Sequence, residues 1–200
     1  SGNGNDGTVN GATLAADRNG ETGKAYSFDG SSIINTPPSL LDNYFRIGSN
    51  FNVSFWFKRE PGSQTHAGEI LFAGSPGLGP DIQVNMHGGM HGETGKLFVG
   101  LYTGEPGISD EVLNDGNWHK VDFGTDGQKV YLYVDNKLQA QQPKLGSTFR
   151  EDYITFGNRG TRQNGFKGQI DDVRIYNRAL SEAEVAELYE LEKPKLTDGL

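Results

Sequence analysis

The sequence predicts an all-β antiparallel sandwich closed by one short C-terminal helix. Three observations predict it. Apolar and polar residues alternate with period two in a succession of short segments from residue 24 to residue 177. The 29 glycines among 200 residues are scattered without a period, so they read as turns between strands. Hydrophobic residues make up only 34% and aromatics 10%, so the core must be thin and rich in rings.

Residues 24–28 alternate and run into Asp29-Gly30, a strand ending in a turn. Residues 52–58 put Val53, Phe55 and Phe57 on one face and Ser54, Trp56 and Lys58 on the other. Segments 69–73, 81–87, 96–102, 118–124, 129–135 and 153–157 follow, divided by Gly, Pro, Asn or Asp. Asp126-Gly127 between two β-rich runs predicts a hairpin, because glycine supplies positive φ without steric cost. Asp135-Asn136 predicts another tight turn. Residues 168–176 give the last strand, with Ile170, Val173 and Ile175 as its apolar positions.

The helix start is written in the sequence. Ser181 can cap the amide of Glu184 while the Glu184 side chain reaches back, a capping box. Leu180 and Val185 make a hydrophobic staple, Val185, Leu188 and Leu191 a helical stripe, and Pro194 ends the helix. Turn-rich segments 60–68, 74–80, 88–95 and 103–117 fall at the rims of the sandwich. The expected organisation is a single domain over residues 1–192 with residues 193–200 as linker or tail. Ser1-Gly2-Asn3 reads as the start of an excised module, so the expected setting is a multidomain protein.

The formal charge of −8 and a pI near 5.0 exclude a nucleic-acid binder, which must neutralise a run of phosphates. No apolar stretch approaches a membrane span. The absence of cysteine excludes disulfides, thiolate metal sites and a cysteine nucleophile. The absence of cysteine does not fix the compartment, since many bacterial exported proteins carry none; the expected location is extracellular or at the cell surface, by bacterial-type export. The sequon Asn52-Val53-Ser54 lies inside a predicted strand and reads as chance.

Three stretches carry a family resemblance. Gly23-Lys24-Ala25-Tyr26-Ser27-Phe28-Asp29-Gly30 opens the domain. Asn117-Trp118-His119-Lys120-Val121 leads through Asp126-Gly127 to Val130-Tyr131-Leu132-Tyr133-Val134-Asp135. The run from Phe166 through Ile170-Asp171-Asp172-Val173-Arg174-Ile175-Tyr176 to Ser181 closes it. Together, from about residue 6 to residue 192, they resemble laminin-G-like domains of the concanavalin-A-like lectin/glucanase superfamily. The resemblance implies a jelly roll of two antiparallel sheets. It leaves the function open, because the superfamily holds lectins, carbohydrate-binding modules, adhesion domains and glycosidases.

Hard cations take carboxylates and backbone carbonyls presented by turns, which Asp29-Gly30-Ser31 and the pair Asp171-Asp172 offer. By resemblance to relatives in which calcium pins the N-terminal segment to the last strand, Asp29 and Asp171 are expected to hold a structural Ca2+ with a carbonyl at Gly30 or in the Asp6-Gly7 loop. Successive strand residues face opposite ways, so only one of Asp171 and Asp172 is expected at a given site. The alternative is that these acids bond turn amides or pair with Arg174 or Arg178.

Catalytic patterns are weak. The superfamily's glycosidases carry Glu-x-Asp-x-x-Glu on one strand, whereas here Gln169 replaces the first acid and Val173 stands near the last. Glu93, Glu105, Asp110, Glu111 and Asp115 read as solvated rim charges. No Gly-x-Ser-x-Gly elbow occurs, and the Gly-x-Gly-x-x-Gly match at residues 2–7 follows no strand. His87 and His91 are separated by two glycines that exclude a helical zinc motif.

If Ile82, Val84 and Met86 face the core, then Gln83, Asn85 and His87 form an outward polar row suited to sugar hydroxyls. Tyr102, Tyr131 and Tyr133 are candidate stacking rings, and Arg159 and Arg162 could clamp a carboxylate or sulfate. Trp56 and Trp118 read as packing residues. The expected function is a non-catalytic carbohydrate-binding, lectin-like module of a larger secreted or cell-surface protein, with covalently linked neighbouring domains. The alternative is an adhesion or spacer domain whose partner is a protein.

Overall fold

A computed structural model describes residues 6–37, 50–62, 68–75, 79–86, 95–101, 107–143, 153–158 and 165–195. The strands are β1 (Thr8–Asn10), β2 (Thr13–Ala15), β3 (Ala25–Asp29), β4 (Ile33–Asn35), β5 (Phe51–Lys58), β6 (Glu69–Ser75) and β7 (Gly79–Met86). They continue with β8 (Lys96–Leu101), β9 (Gly107–Val112), β10 (Trp118–Thr125), β11 (Lys129–Val134), β12 (Lys137–Pro143), β13 (Tyr153–Phe156) and β14 (Lys167–Tyr176). One helix, α1 (Glu182–Glu192), follows. Two seven-stranded antiparallel sheets result, ordered β1-β4-β13-β6-β7-β8-β9 and β12-β11-β10-β5-β14-β3-β2. The expected two-sheet sandwich with a C-terminal helix is what forms.

Alternation puts Phe51, Val53, Phe55 and Phe57 of β5 between the sheets, against Val121 and Phe123 of β10. Leu71, Ala73, Ile82, Val84 and Met86 answer from the other sheet. Rings dominate this thin core: Phe51 meets Phe123 edge-on at 6.4 Å, and Phe57 meets Phe166 at 6.4 Å. Both residues of the Asp135-Asn136 turn have positive φ (48° and 63°), the backbone of a tight hairpin that matches strand twist. Gly157 (φ 86°) permits a close approach, because a Cβ there would lie 2.2 Å from the Phe28 ring.

Several elements depart from expectation. β1, β2 and β4 are three residues each, too short for alternation to register. β9 lies inside the span read as the 103–117 rim, and β12 is the polar edge strand Lys-Leu-Gln-Ala-Gln-Gln-Pro. Val173, expected in the apolar phase of β14, is 39% exposed. The cause is a bulge: Asp171 pairs with Trp56 and Arg174 with Ser54, so three steps on β14 answer two on β5. Asp172 occupies the extra position with φ 45°.

The capping box forms as predicted, with the Ser181 hydroxyl accepting from the Glu184 amide and Glu184 accepting from the Ser181 amide. The stripe is corrected at its end. Leu191 is 78% exposed, whereas Glu192, seven residues after Val185 and so on the same face, is buried. No helix among the described residues is long and apolar enough to cross a membrane.

Candidate functional site

The two sheets present very different outer faces. On the second sheet, outward residues of β5, β10 and β14 lie beneath α1, and their charges close on one another. Glu192 Oε2 accepts from Lys120 Nζ at 2.6 Å and from the Trp56 indole N–H at 3.1 Å, while Oε1 accepts from Arg174 Nε at 2.7 Å. Lys120 Nζ also donates to Ser54 Oγ at 2.7 Å. Arg18, from the loop after β2, donates to Asp171 at 2.5 Å and to Asp172 at 2.7 Å. Its guanidinium stands 5.0 Å from the centre of the Trp56 ring, on which Tyr189 of α1 stacks at 5.8 Å. Trp56 is a packing residue, as read from the sequence; Trp118 is half-buried.

The bulge corrects the expectation that only one of Asp171 and Asp172 could serve a site. With Asp172 in the left-handed region, both carboxylates reach Arg18. Arg174 pairs with Glu192 and stands 3.9 Å from Asp172, whereas Arg178 pairs with Glu184.

Asp29 and Asp171 are not brought together. Asp29 sits opposite Lys167 and Asp171 lies four residues further along β14, a separation of about 13 Å at about 3.3 Å per residue. Asp29 Oδ1 accepts from the amides and hydroxyls of both Ser31 and Ser32, and those bonds hold its carboxyl below the usual carboxylate range. The Gly30 carbonyl accepts from Asn158 Nδ2 at 3.3 Å. These residues therefore do not fit one shared calcium, which needs its oxygens at about 2.3–2.6 Å. Among the described residues no group of three His, Cys, Asp or Glu converges for a metal.

At the rim of the same sheet His119 is 9% exposed and lies 5.9 Å from the Phe57 ring. Its Nδ1 is 2.7 Å from Asp135 and its Nε2 3.0 Å from Asp115. Burial pulls its pKa down, but the hydrogen bonds and charges of the two carboxylates outweigh that and leave it raised. Asn52, the sequon residue, is fully buried, donating to Asp122 and accepting from Tyr131.

The outer face of the first sheet is built differently. Ile82, Val84 and Met86 face the core, so Gln83 and Asn85 take the opposite face, as the alternation predicts. Asn85 is 6% exposed and Gln83 half-buried; Gln83 Nε2 donates to Glu69 Oε1 at 3.4 Å. Phe98, half-buried, lies opposite Asn85, and Gly100 lies opposite Gln83. His87, Tyr102, Arg159 and Arg162, with His91, Glu93 and Glu105, lie outside the described residues. Tyr131 and Tyr133 are on the other sheet, and the Tyr131 hydroxyl is engaged by Asn52 and the Leu180 amide. They are not part of this row. Asp110 is exposed, Glu111 pairs with Lys137, and Asp115 is held by Asn117 and His119.

Arg18, Lys120 and Glu192 were not singled out by sequence reading, nor were Glu69 and Phe98. Glu192 had a signal in its helical spacing from Val185. Arg18 had none, because its acceptors are 153 and 154 residues away.

A laminin-G-like family model, described as the Concanavalin A-like lectin/glucanases superfamily, matches residues 9–186. The chain belongs to that superfamily. None of the curated proteins matches it. Among solved structures, this concanavalin-A-like domain is similar to domain 4 of AbnA, a GH43 extracellular arabinanase from Geobacillus stearothermophilus, in complex with arabinotriose. Identity is 25% and the TM-score 0.71, covering 94% of this chain and 91% of that one. The ligand-binding domain of botulinum neurotoxin serotype D, in complex with N-acetylneuraminic acid, matches at 18% identity and TM-score 0.70 over 94% of this chain and 47% of that one. The binding domain of Paraclostridial Mosquitocidal Protein 1 matches at 18% and 0.67, over 94% and 48%. The chain thus spans about half the length of the latter two, and at those identities they speak for the fold alone.

Proposed function

We propose that this domain is a non-catalytic carbohydrate-binding module of a larger extracellular protein and that it takes its sugar on the outer face of the first sheet. The observation that carries the reading is the near end-to-end correspondence with an arabinanase domain whose structure holds arabinotriose. The local chemistry supports it. A sugar needs amide donors and acceptors for its hydroxyls and an apolar surface for its C–H face. Gln83, steadied by Glu69 and flanked by Asn85 and Phe98, offers both. On the other face Asp171, Asp172 and Glu192 are bound to Arg18, Lys120 and Arg174 under a helix, so those carboxylates are engaged in ion pairs.

The test is binding to a glycan and polysaccharide array that includes arabino-oligosaccharides, run with calcium and with EDTA. Retention of one glycan class in both conditions is the expected result. A blank in both overturns the carbohydrate reading in favour of a protein-binding or spacer role, and release of reducing sugar from a retained polysaccharide overturns the non-catalytic one.

A further inference from the structure

We propose that the guanidinium of Arg18 is a built-in cation, seated in an oxygen site that would take a divalent metal ion if the arginine were absent. The inference is independent of the carbohydrate reading. Each guanidinium nitrogen has its own acceptor: Nη1 donates to Asp171 Oδ2 at 2.5 Å, Nη2 to Asp172 Oδ2 at 2.7 Å, and Nε to the Glu192 carbonyl. Two carboxylates and a backbone carbonyl are oxygens of the kind a hard cation collects, with water completing its shell. A further side is closed by the Trp56 ring, 5.0 Å from the guanidinium carbon, whose face favours positive charge. The Arg18 side chain is only 7% exposed, so it fills this site.

The backbone is shaped to gather those oxygens. Regular alternation along β14 would turn Asp171 and Asp172 to opposite faces, where they could not share a partner. The bulge and the positive φ of Asp172 (45°), which residues with a side chain rarely adopt, bring both to Arg18. The other Asp171 oxygen, Oδ1, accepts from the Asp172 amide at 2.8 Å. Arg174 stands 3.9 Å from Asp172 and pairs with Glu192, so Arg18 is the cation that the two acids share.

Arg18 lies in the loop between β2 and β3, and its acceptors lie on β14 and at the end of α1. It therefore ties the N-terminal segment to the last strand, which is the work expected of calcium through Asp29 and Asp171. With Asp29 spent on its own turn, the chain does that work with a positive charge of its own.

Thermal unfolding of the whole chain in calcium and in EDTA tests the proposal. Arg18→Gln and Arg18→Ala should lower the midpoint in EDTA by several degrees. In about 10 mM calcium they should regain about 3 °C or more, given a site with a Kd of about 0.1–1 mM. The parent and Arg18→Lys, which keeps a positive charge, should move by no more than about 1 °C. Asp171→Asn added to Arg18→Gln should abolish the calcium gain. Variants that gain nothing from calcium, including variants that stay unfolded with and without it, overturn the proposal. So does a gain that the parent shares or that survives Asp171→Asn.

Discussion

One sandwich carries two outer faces built from the same alternating strands, and they spend their polar groups in opposite ways. Beneath α1, Lys120, Glu192, Arg174, Arg18, Asp171 and Asp172 satisfy one another around the Trp56 ring. β5 is buried on both sides as a result, from Phe51 through Phe57. On the first sheet, half-buried Gln83 and Phe98 face outward beside a glycine that holds no side chain. Charge alone therefore does not mark a site in this fold. The strongly charged face closes on itself beneath the helix, and the outer face of the first sheet is the one proposed above for the ligand.

Removing Glu192 should give the largest effect. Glu192→Ala would strand Lys120, whose side chain is 0% exposed, and Arg174 without their shared carboxylate. Loss of one partner of a buried ion pair costs about 3–5 kcal/mol. For a chain of this size that lowers the thermal midpoint by about 10 °C, measurable by circular dichroism. Sugar affinity at a temperature where the variant is folded should not change. A variant that keeps its stability, or loses sugar binding while folded, breaks the division between the two faces.

The sequence made the outer face of the first sheet easier to read than the one beneath the helix. Gln83 and Asn85 followed from a two-residue period in β7, and the capping box fixed the start of α1. The covered face depends on three things local pattern does not encode. The bulge at Asp172 breaks the β14 alternation and turns two neighbouring acids toward one arginine. Arg18 meets them across more than 150 residues. Glu192 is a charged residue on a helix face where Leu191 had been expected.

A smaller effect comes from His119, at the rim of the covered sheet. Neutral imidazole has one N–H, yet both ring nitrogens face carboxylate oxygens, so only the protonated ring satisfies both. The groups around it are Asp115 in the turn before β10 and Asp135 in the β11–β12 turn, with the Phe57 ring on β5. Because its folded pKa is raised above 6.5, its contribution is complete below that value and is lost as pH rises through the folded pKa. Asp115 has the opposite sign. Burial raises it, but bonds from Asn117 and His119 bring it down to about 2, so its share is present above about 4 and lost as pH falls toward 2. Urea unfolding of the parent and of His119→Gln should therefore give a stability difference that shrinks as pH rises from about 6 to about 9. A difference independent of pH would mean the ring is neutral throughout.

Calcium should have the smallest effect, and the reason separates the two acids expected to share it. A single ion joining Asp29 to Asp171 would make Asp29→Asn and Asp171→Asn abolish the same calcium-dependent gain in thermal midpoint. The structure assigns them different work instead. Asp29 closes its own turn through four donors from Ser31 and Ser32, and Asp171 neutralises Arg18 beneath the helix. EDTA should consequently shift the midpoint of the parent by no more than about 1 °C, against about 2–4 °C for each kcal/mol of lost stability in a chain of this size. Asp171→Asn should destabilise by the same amount in calcium and in EDTA, because it leaves Arg18 with half of its carboxylate pair. A calcium-dependent gain that Asp29→Asn removes and Asp171→Asn leaves intact would put the ion at the Asp29-Gly30 turn alone, away from the charged lattice beneath the helix.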